Sequence, residues 1–302
     1  MTTDWVPENW MGSLDETKLL SQFTIPGTHE TCSLPGGSIT ECQHLKLSEQ
    51  LSAGIRAIDI RCRHFKDAFP IHHGAVYQKL NFTDVLNECK AFLDNHSTEC
   101  IVMSVKKECT EETDSCKDEE NTRTFEDTFD WYLEQDNNKD YFFYSGGNLS
   151  DALPQLKDVR KKIVLLRRFP ATRTSKGIDV TQWGDNKTFP VSVPNGTLKI
   201  QDEYKVPTIL EPDINHKWDS IKNLLDEARN DSSKENWYIN FSSGASPGAH
   251  PNAVAGRINH RVSDYVDDKS LTQVRLGTIM TDFPDDEGKT DLVNRIIGVN
   301  FR

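Results

Sequence analysis

Short apolar, β-branched runs recur along the chain: Phe23–Ile25, Ile55–Ile60, Ile101–Val105, Ile163–Leu166, Trp237–Phe241 and Leu276–Met280. Each spans three to six residues, too short for a buried helix, and the composition predicts strands. Between several of them the apolar spacing changes to that of a helix. Leu45–Leu51, Phe125–Leu133 and Ile221–Ala228 have this pattern. So does Asp84–Leu93, with Val85, Leu86, Cys89, Phe92 and Leu93 on one stripe and Thr83 as a predicted N-cap. Strands alternating with helices predict a parallel sheet with crossover helices. Cys109–Asn121 reads as an exposed acidic loop. Residues 170–200 and Ser242–Pro251, which lack periodicity, read as long irregular loops.

At 302 residues the chain suits one large α/β barrel or two ordinary domains. The absence of repeats and low-complexity linkers favours one irregular barrel over residues 1–302. No apolar run approaches the ~18 residues of a membrane span. The start, Met1-Thr-Thr-Asp-Trp, has neither the basic nor the apolar part of a signal peptide, so the chain reads as cytosolic or as the mature form of a secreted protein. A net charge of −12 argues against a nucleic-acid partner and against purely electrostatic membrane attraction. Any cation that meets a phosphate must belong to a local cluster.

All seven cysteines (Cys32, Cys42, Cys62, Cys89, Cys100, Cys109 and Cys116) lie in the first 120 residues, without zinc-type spacing. They are either buried thiols or two or three disulfides with one left over. Sequons at Asn81, Asn95, Asn148, Asn186, Asn195, Asn230 and Asn240 favour the second reading and a secreted, extracellular glycoprotein.

Polar residues cluster where the predicted strands end. Pro26-Gly-Thr-His29-Glu30 follows the first. Asp59-Ile-Arg61-Cys-Arg63 ends the second. His72-His73-Gly74 comes next, then Lys106-Lys107-Glu108, Arg167-Arg168 and Thr281-Asp282. In a parallel barrel these ends share one face, where active sites sit. Two histidines and several cations suit phosphoryl transfer to a neighbouring hydroxyl. A neutral imidazole takes the proton of the attacking hydroxyl, an imidazolium protonates the leaving alkoxide, and a guanidinium neutralises the phosphate. Singly, each residue has a plainer reading: His72 and His73 as a packed strand pair, Arg56, Arg61 and Arg63 as a solvated strand face, Lys106 and Lys107 as surface charges. Periodicity alone stops at an α/β barrel and a hydrolase.

Taken in order, the motifs go further. Trp10-Met-Gly-Ser-Leu14, Ile25-Pro-Gly-Thr-His29, Ala57-Ile-Asp-Ile-Arg61, His72-His-Gly74, Met103-Ser-Val-Lys-Lys107, Ile163-Val-Leu-Leu-Arg-Arg168, Gln201-Asp-Glu-Tyr-Lys-Val206 and Tyr238-Ile-Asn-Phe241 closely resemble the bacterial-type phosphatidylinositol-specific phospholipases C. The resemblance runs through essentially the whole chain. It implies a single distorted, partly open (β/α)8 TIM-type barrel. It also implies cleavage of phosphatidylinositol to inositol 1,2-cyclic phosphate and diacylglycerol, with slow hydrolysis of the cyclic product. By motif position, His29 is the implied general base, His73 the general acid, Arg61 the phosphate clamp beside Asp59, and Asp282 the carboxylate that orients the base. Lys106, Arg168, Asp202 and Tyr204 are the implied inositol-binding residues.

Calcium-dependent relatives carry a carboxylate where Arg61 stands, so no metal and no cofactor are expected. Glu30 replaces the aspartate that assists the acid in bacterial members, one methylene longer. The rim segments Pro35–Leu45 and Ser242–Asn252 lack the tryptophans with which bacterial members enter bilayers. A monomer acting transiently on phosphatidylinositol in membranes is expected, with glycosyl-phosphatidylinositol anchors as a further candidate substrate. The competing functions are a non-catalytic inositol-phosphate binder on the same barrel, a calcium-dependent phospholipase C and a metal-dependent glycerophosphodiester phosphodiesterase.

Overall fold

A computed structural model describes residues 5–109, 120–172, 176–285 and 291–302. Eight parallel strands form the barrel sheet: β1 (Ile25–Thr28), β2 (Ala57–Cys62), β5 (Ile101–Lys107), β8 (Ile163–Arg168), β9 (Ile178–Asp179), β11 (Gly196–Asp202), β12 (Asn236–Phe241) and β13 (Thr278–Thr281). The last strand, β13, pairs with the first, β1. The order runs β11-β12-β13-β1-β2-β5-β8-β9, and β10 (Lys187–Val193) lies antiparallel on the outer edge of β11. The sheet stays open between β9 and β10. It is therefore a nearly closed barrel, as the sequence predicts.

Helices α1 (Leu47–Ser52), α2 (Phe82–Asn95), α3 (Phe125–Glu134) with the short α4 (Leu156–Val159), α5 (Glu211–Asn230) and α6 (Pro251–Val266) form crossovers, and α7 (Leu292–Gly298) follows β13. No helix lies between β8 and β9 or between β9 and β11 among the described residues, and there the barrel opens. A hairpin, β3 (Pro70–His73) and β4 (Val76–Asn81), extends from the end of β2, and a small ribbon, β6 (Tyr144–Ser145) and β7 (Asn148–Leu149), precedes α4.

The predicted strands appear within two or three residues. Three expectations fail. Residues 187–202 form β10 and β11 rather than loops; Pro190 is tolerated because β10 is an edge strand, which needs no donor there. The predicted N-cap at Thr83 moves to Asn81, because the Asp84 carboxylate reaches back to the Asn81 N–H at 2.8 Å. Five cysteines, Cys32, Cys42, Cys62, Cys89 and Cys100, are buried free thiols, packed in the interior as small apolar groups. That leaves no room for two or three disulfides. Cys109 is disulfide-bonded, and the predicted loop after it falls mostly on residues outside those described.

The lower end of the barrel is closed by an ion pair. Arg56, before β2, is fully buried. Its Nε donates to Glu99 Oε2 at 2.8 Å, and its Nη1 and Nη2 donate to the carbonyls of Leu51, Ile55, Pro7 and Glu8 at 2.7–3.0 Å. Arg56 is thus structural, not part of a solvated strand face.

Candidate active site

The opposite end gathers the titratable side chains. Gly27 sits inside β1 between β2 and β13, where nothing larger fits: a Cβ on it would come within 2.8 Å of the Ala57 Cβ. His29 directly follows the strand. Both Glu30 after it and Phe283 after Asp282 adopt left-handed backbone, with φ of 43° and 45°. Non-glycine residues enter this region only at a cost in backbone strain. The Glu30 N–H donates to Asp59 Oδ2 at 3.2 Å, which holds that turn.

His29 Nδ1–H donates to Asp282 Oδ1 at 2.9 Å, and Arg61 Nη2 donates to His29 Nε2 at 3.0 Å. These partners fix the tautomer: the Nδ1 proton faces the carboxylate, and the Nε2 lone pair faces the Arg61 guanidinium. Burial disfavours the imidazolium, but Asp282 outweighs it, and the His29 pKa lies above the ordinary histidine value. Phe241 stands edge-on to the ring at 6.0 Å.

Arg61 is the hub. Its Nη1 meets Glu30 Oε1 at 2.6 Å, and its Nε and Nη2 donate to Asp59 Oδ2 at 3.2 and 3.1 Å. Beyond Glu30 stands His73 of β3, whose Nε2 lies 3.7 Å from Glu30 Oε1 and whose Nδ1–H donates to the Thr40 carbonyl at 2.8 Å. His29 Nε2 thus meets the Arg61 guanidinium directly, while His73 Nε2 faces the Glu30 carboxylate that the same guanidinium holds. Burial raises the Glu30 pKa, opposed by Arg61 and His73. Burial would also raise that of Asp59, but Arg61 and Arg168 overcome it and hold Asp59 ionised.

The other predicted residues ring this hub. Lys106 Nζ pairs with Glu108 Oε2 at 2.9 Å, and Glu108 Oε1 accepts from the Gly74 N–H at 3.0 Å. Burial works against ionisation of Glu108, but Lys106 and Arg61 bring its pKa down to about 2. Arg168 Nη1 lies 3.5 Å from Asp59 Oδ1, and its guanidinium stacks 3.7 Å from the centre of the Trp183 ring. Trp183 Nε1 donates to Asp202 Oδ2 at 2.8 Å. Tyr204 stands farther out, its hydroxyl donating to Asp185 Oδ1 at 2.7 Å.

The sequence reading missed Trp183, Glu108 and Ser104, whose Oγ donates to Asp59 Oδ1 at 3.3 Å. Glu108 was visible as the acid after two lysines. Trp183 was the one aromatic amid the polar residues Thr181–Asn186. As for metals, one group among the described residues, His29, Cys42 and Asp282, brings three ligand atoms within 4.8 Å of one another. Glu30 and Asp59 are instead occupied by Arg61.

Residues 17–169 match the family described as phosphatidylinositol-specific phospholipase C, X domain. The chain is 35% identical over 311 residues to a 1-phosphatidylinositol phosphodiesterase of Staphylococcus aureus (strain Newman), covering 97% of this chain and 94% of that protein. It is 30% identical over 290 residues to one from Listeria monocytogenes serovar 1/2a (strain ATCC BAA-679 / EGD-e), covering 92% and 81%. Among solved structures, a pentafluoro-Phe-incorporated phosphatidylinositol-specific phospholipase C from S. aureus superposes with a TM-score of 0.85 at 32% identity, covering 97% of each chain. That of L. monocytogenes superposes with 0.74 at 27% identity, covering 98% of this chain and 99% of the other.

Proposed function

The chain belongs to the bacterial-type phosphatidylinositol-specific phospholipases C and is an enzyme of that activity, and from this premise we propose a metal-independent reaction in which His29 is the general base and His73 the general acid. The observation that carries it is the single guanidinium of Arg61, which donates to His29 Nε2 on one side and on the other holds Glu30, the carboxylate next to His73 Nε2. The inositol 2-hydroxyl gives its proton to His29 Nε2, and its oxygen bonds to phosphorus. The bond from phosphorus to the glycerol oxygen breaks, and that oxygen takes the Nε2 proton of His73. Inositol 1,2-cyclic phosphate and diacylglycerol result, with His29 charged and His73 neutral. Slow hydrolysis of the cyclic ester by water reverses these roles and resets both rings.

Arg61 spreads its charge over the phosphate oxygens as bonding changes, the kind of preorganised donor whose removal typically costs ~10²–10³ in rate. Asp282 holds the base tautomer. Glu30 keeps a negative charge beside the His73 proton. Lys106, Arg168, Asp202 and Tyr204 supply donors and acceptors for the ring hydroxyls. Arg61 also stands against calcium: it fills the space between Glu30 and Asp59, and a cation there would meet a fixed positive charge.

Residues 1–302 act as one catalytic domain and as a monomer. The pairing of β1 with β13 supports the single domain. No helix among the described residues is long and apolar enough to cross a membrane. Attachment to the lipid is peripheral, and Ile39, 68% exposed and adjacent to the Thr40 that holds His73, is suited to it. Glycosyl-phosphatidylinositol anchors present the same inositol phosphodiester. Secretion and glycosylation belong to the same reading: Asn81, Asn95, Asn148, Asn195 and Asn230 are exposed sequons, whereas Asn240 is buried and bonded to Gln201 and so is excluded as an acceptor.

The test is incubation with phosphatidylinositol in excess chelator, followed by phosphorus NMR of the soluble product. A cyclic phosphate supports the mechanism. Loss of cleavage restored by calcium would overturn the metal-free assignment.

A further inference from the structure

Cys42 lies between the two histidines, outside the mechanism. Its Sγ is 4.0 Å from His73 Nδ1 and 3.6 Å from the Thr40 carbonyl, and it stands within 4.8 Å of donor atoms of both His29 and Asp282. Its backbone is fixed, the N–H donating to the Ser33 carbonyl and the carbonyl accepting from the Phe283 N–H. The thiol is therefore held in place.

Asp282 adds a second observation. Only 1% of it is exposed; Oδ1 accepts from His29, while Oδ2 is buried with no hydrogen-bond partner. A buried carboxylate oxygen without a partner is costly. One imidazole, one thiol and one carboxylate form a mixed nitrogen, sulfur and oxygen set typical of zinc. The set is too small and too soft for calcium or magnesium, which take six or more oxygen ligands.

We propose that His29, Cys42 and Asp282 form an inhibitory site for a zinc-class divalent cation, with the fourth position open to water on the pocket side. The ion bonds to the Cys42 sulfur, whose thiol proton leaves to solvent, to an Asp282 carboxylate oxygen, and to the lone pair of one nitrogen of the neutral His29 ring, whose single proton stays on the other nitrogen; no electron is transferred. It withdraws His29 from the reaction. Because the thiol proton must leave, binding strengthens as pH rises. The binding itself does not depend on the acid and base roles proposed above; only the inhibition does.

The test uses the full chain, freed of metal with a chelator that is then removed. Cobalt(II) is titrated in and followed by its thiolate-to-metal charge-transfer absorption. Wild type should bind one equivalent with that band, zinc should displace the cobalt, and calcium should do neither. C42S should lose the band although Cys32, Cys62, Cys89 and Cys100 remain, and C42A serves as a second variant should C42S fold poorly by circular dichroism. Relative to each protein's own metal-free rate, zinc should inhibit the variants at concentrations at least roughly 10–100-fold higher than wild type, since even outer-shell ligand partners are worth that in affinity. A wild type without the band, or a band retained in both variants, overturns the site. A cobalt band without zinc inhibition would leave the site standing and count against His29 as the base.

Discussion

Replacing Asp282 with Asn isolates the charge behind the base. The amide is nearly isosteric, and its oxygen can still accept the His29 Nδ1 proton now given to Oδ1 at 2.9 Å, so geometry is largely kept. What is lost is the negative charge that stabilises the imidazolium as His29 takes the hydroxyl proton. A hydrogen bond to a charged group contributes ~1.5–3 kcal/mol, and each 1.36 kcal/mol is tenfold in rate, so kcat/KM should fall roughly 10- to 150-fold. The pH profile is the sharper readout. In wild type the His29 pKa is raised because Asp282 overcomes burial, so the acid limb, where the base protonates, should lie above ~6.5. Without the carboxylate, burial and Arg61 outweigh the weaker opposing charge of Glu30 and push the pKa below that value, so the limb should move to lower pH. Stability has the same sign: the folded-state pKa exceeds the unfolded one, so the Asp282–His29 contribution is present in full below ~6.5 and fades as pH rises through the folded value. The assay is kcat/KM against pH for a short-chain phosphatidylinositol below its micelle concentration, in EDTA, for wild type and D282N. An acid limb that stays in place, or moves upward, would refute the assignment of Asp282 as the group that sets the base.

Three further outcomes are expected. H73A should be rescued far more than H29A by an inositol phosphodiester with a nitrophenol leaving group, which needs no proton; equal rescue in a steady-state assay would mean the acid and base are assigned wrongly. W183A should raise KM roughly 2- to 30-fold with little change in kcat, since a cation–π contact of the kind Arg168 makes at 3.7 Å contributes ~0.5–2 kcal/mol and Trp183 does not face the reacting atoms. E99A strands the fully buried Arg56, so stability should fall by about 3–5 kcal/mol and Tm by roughly 5–15 °C in a thermal melt, with kcat per folded molecule unchanged.

The barrel was legible where physics leaves a local trace. Strands buried on both faces, such as Ile101–Val105 and Ile163–Leu166, read as apolar runs, and α2 showed its stripe. β10 was hidden because an edge strand keeps one side in water and tolerates Pro190. α6 was legible in principle, with Val254, Ile258, Val262 and Val266 four residues apart, but the glycine- and serine-rich stretch before it drew the reading toward a loop. The site was legible as a set of polar strand ends, not as roles. Nothing local distinguishes Arg56 from Arg61, yet one is sealed at the lower end of the barrel and the other joins His29, Glu30 and Asp59 at the upper. The fate of Cys42 was equally invisible, because its neighbours His29, His73 and Asp282 come from three distant parts of the chain.

An acidic chain that binds a phosphodiester must concentrate cations without leaving them unpaired in the free enzyme. Arg61, Lys106 and Arg168 are each pre-paired, with Glu30 and Asp59, Glu108, and Asp59 respectively. These carboxylates are not equivalent. Asp59 lies between two guanidiniums, accepts from the Glu30 N–H, and is held ionised, so it fixes the cations in position. Glu30 meets only the outer nitrogen of Arg61, and burial raises its pKa. A phosphate arriving at Arg61 competes with Glu30 rather than Asp59. As Glu30 yields the Nη1 contact, it remains within reach of His73 Nε2, the atom that carries the leaving-group proton in the proposed mechanism. Under the proposed assignment of His73 as the acid, binding of the phosphate and readying of the acid would be coupled through one carboxylate, whose Oε1 already lies near both Arg61 Nη1 and His73 Nε2.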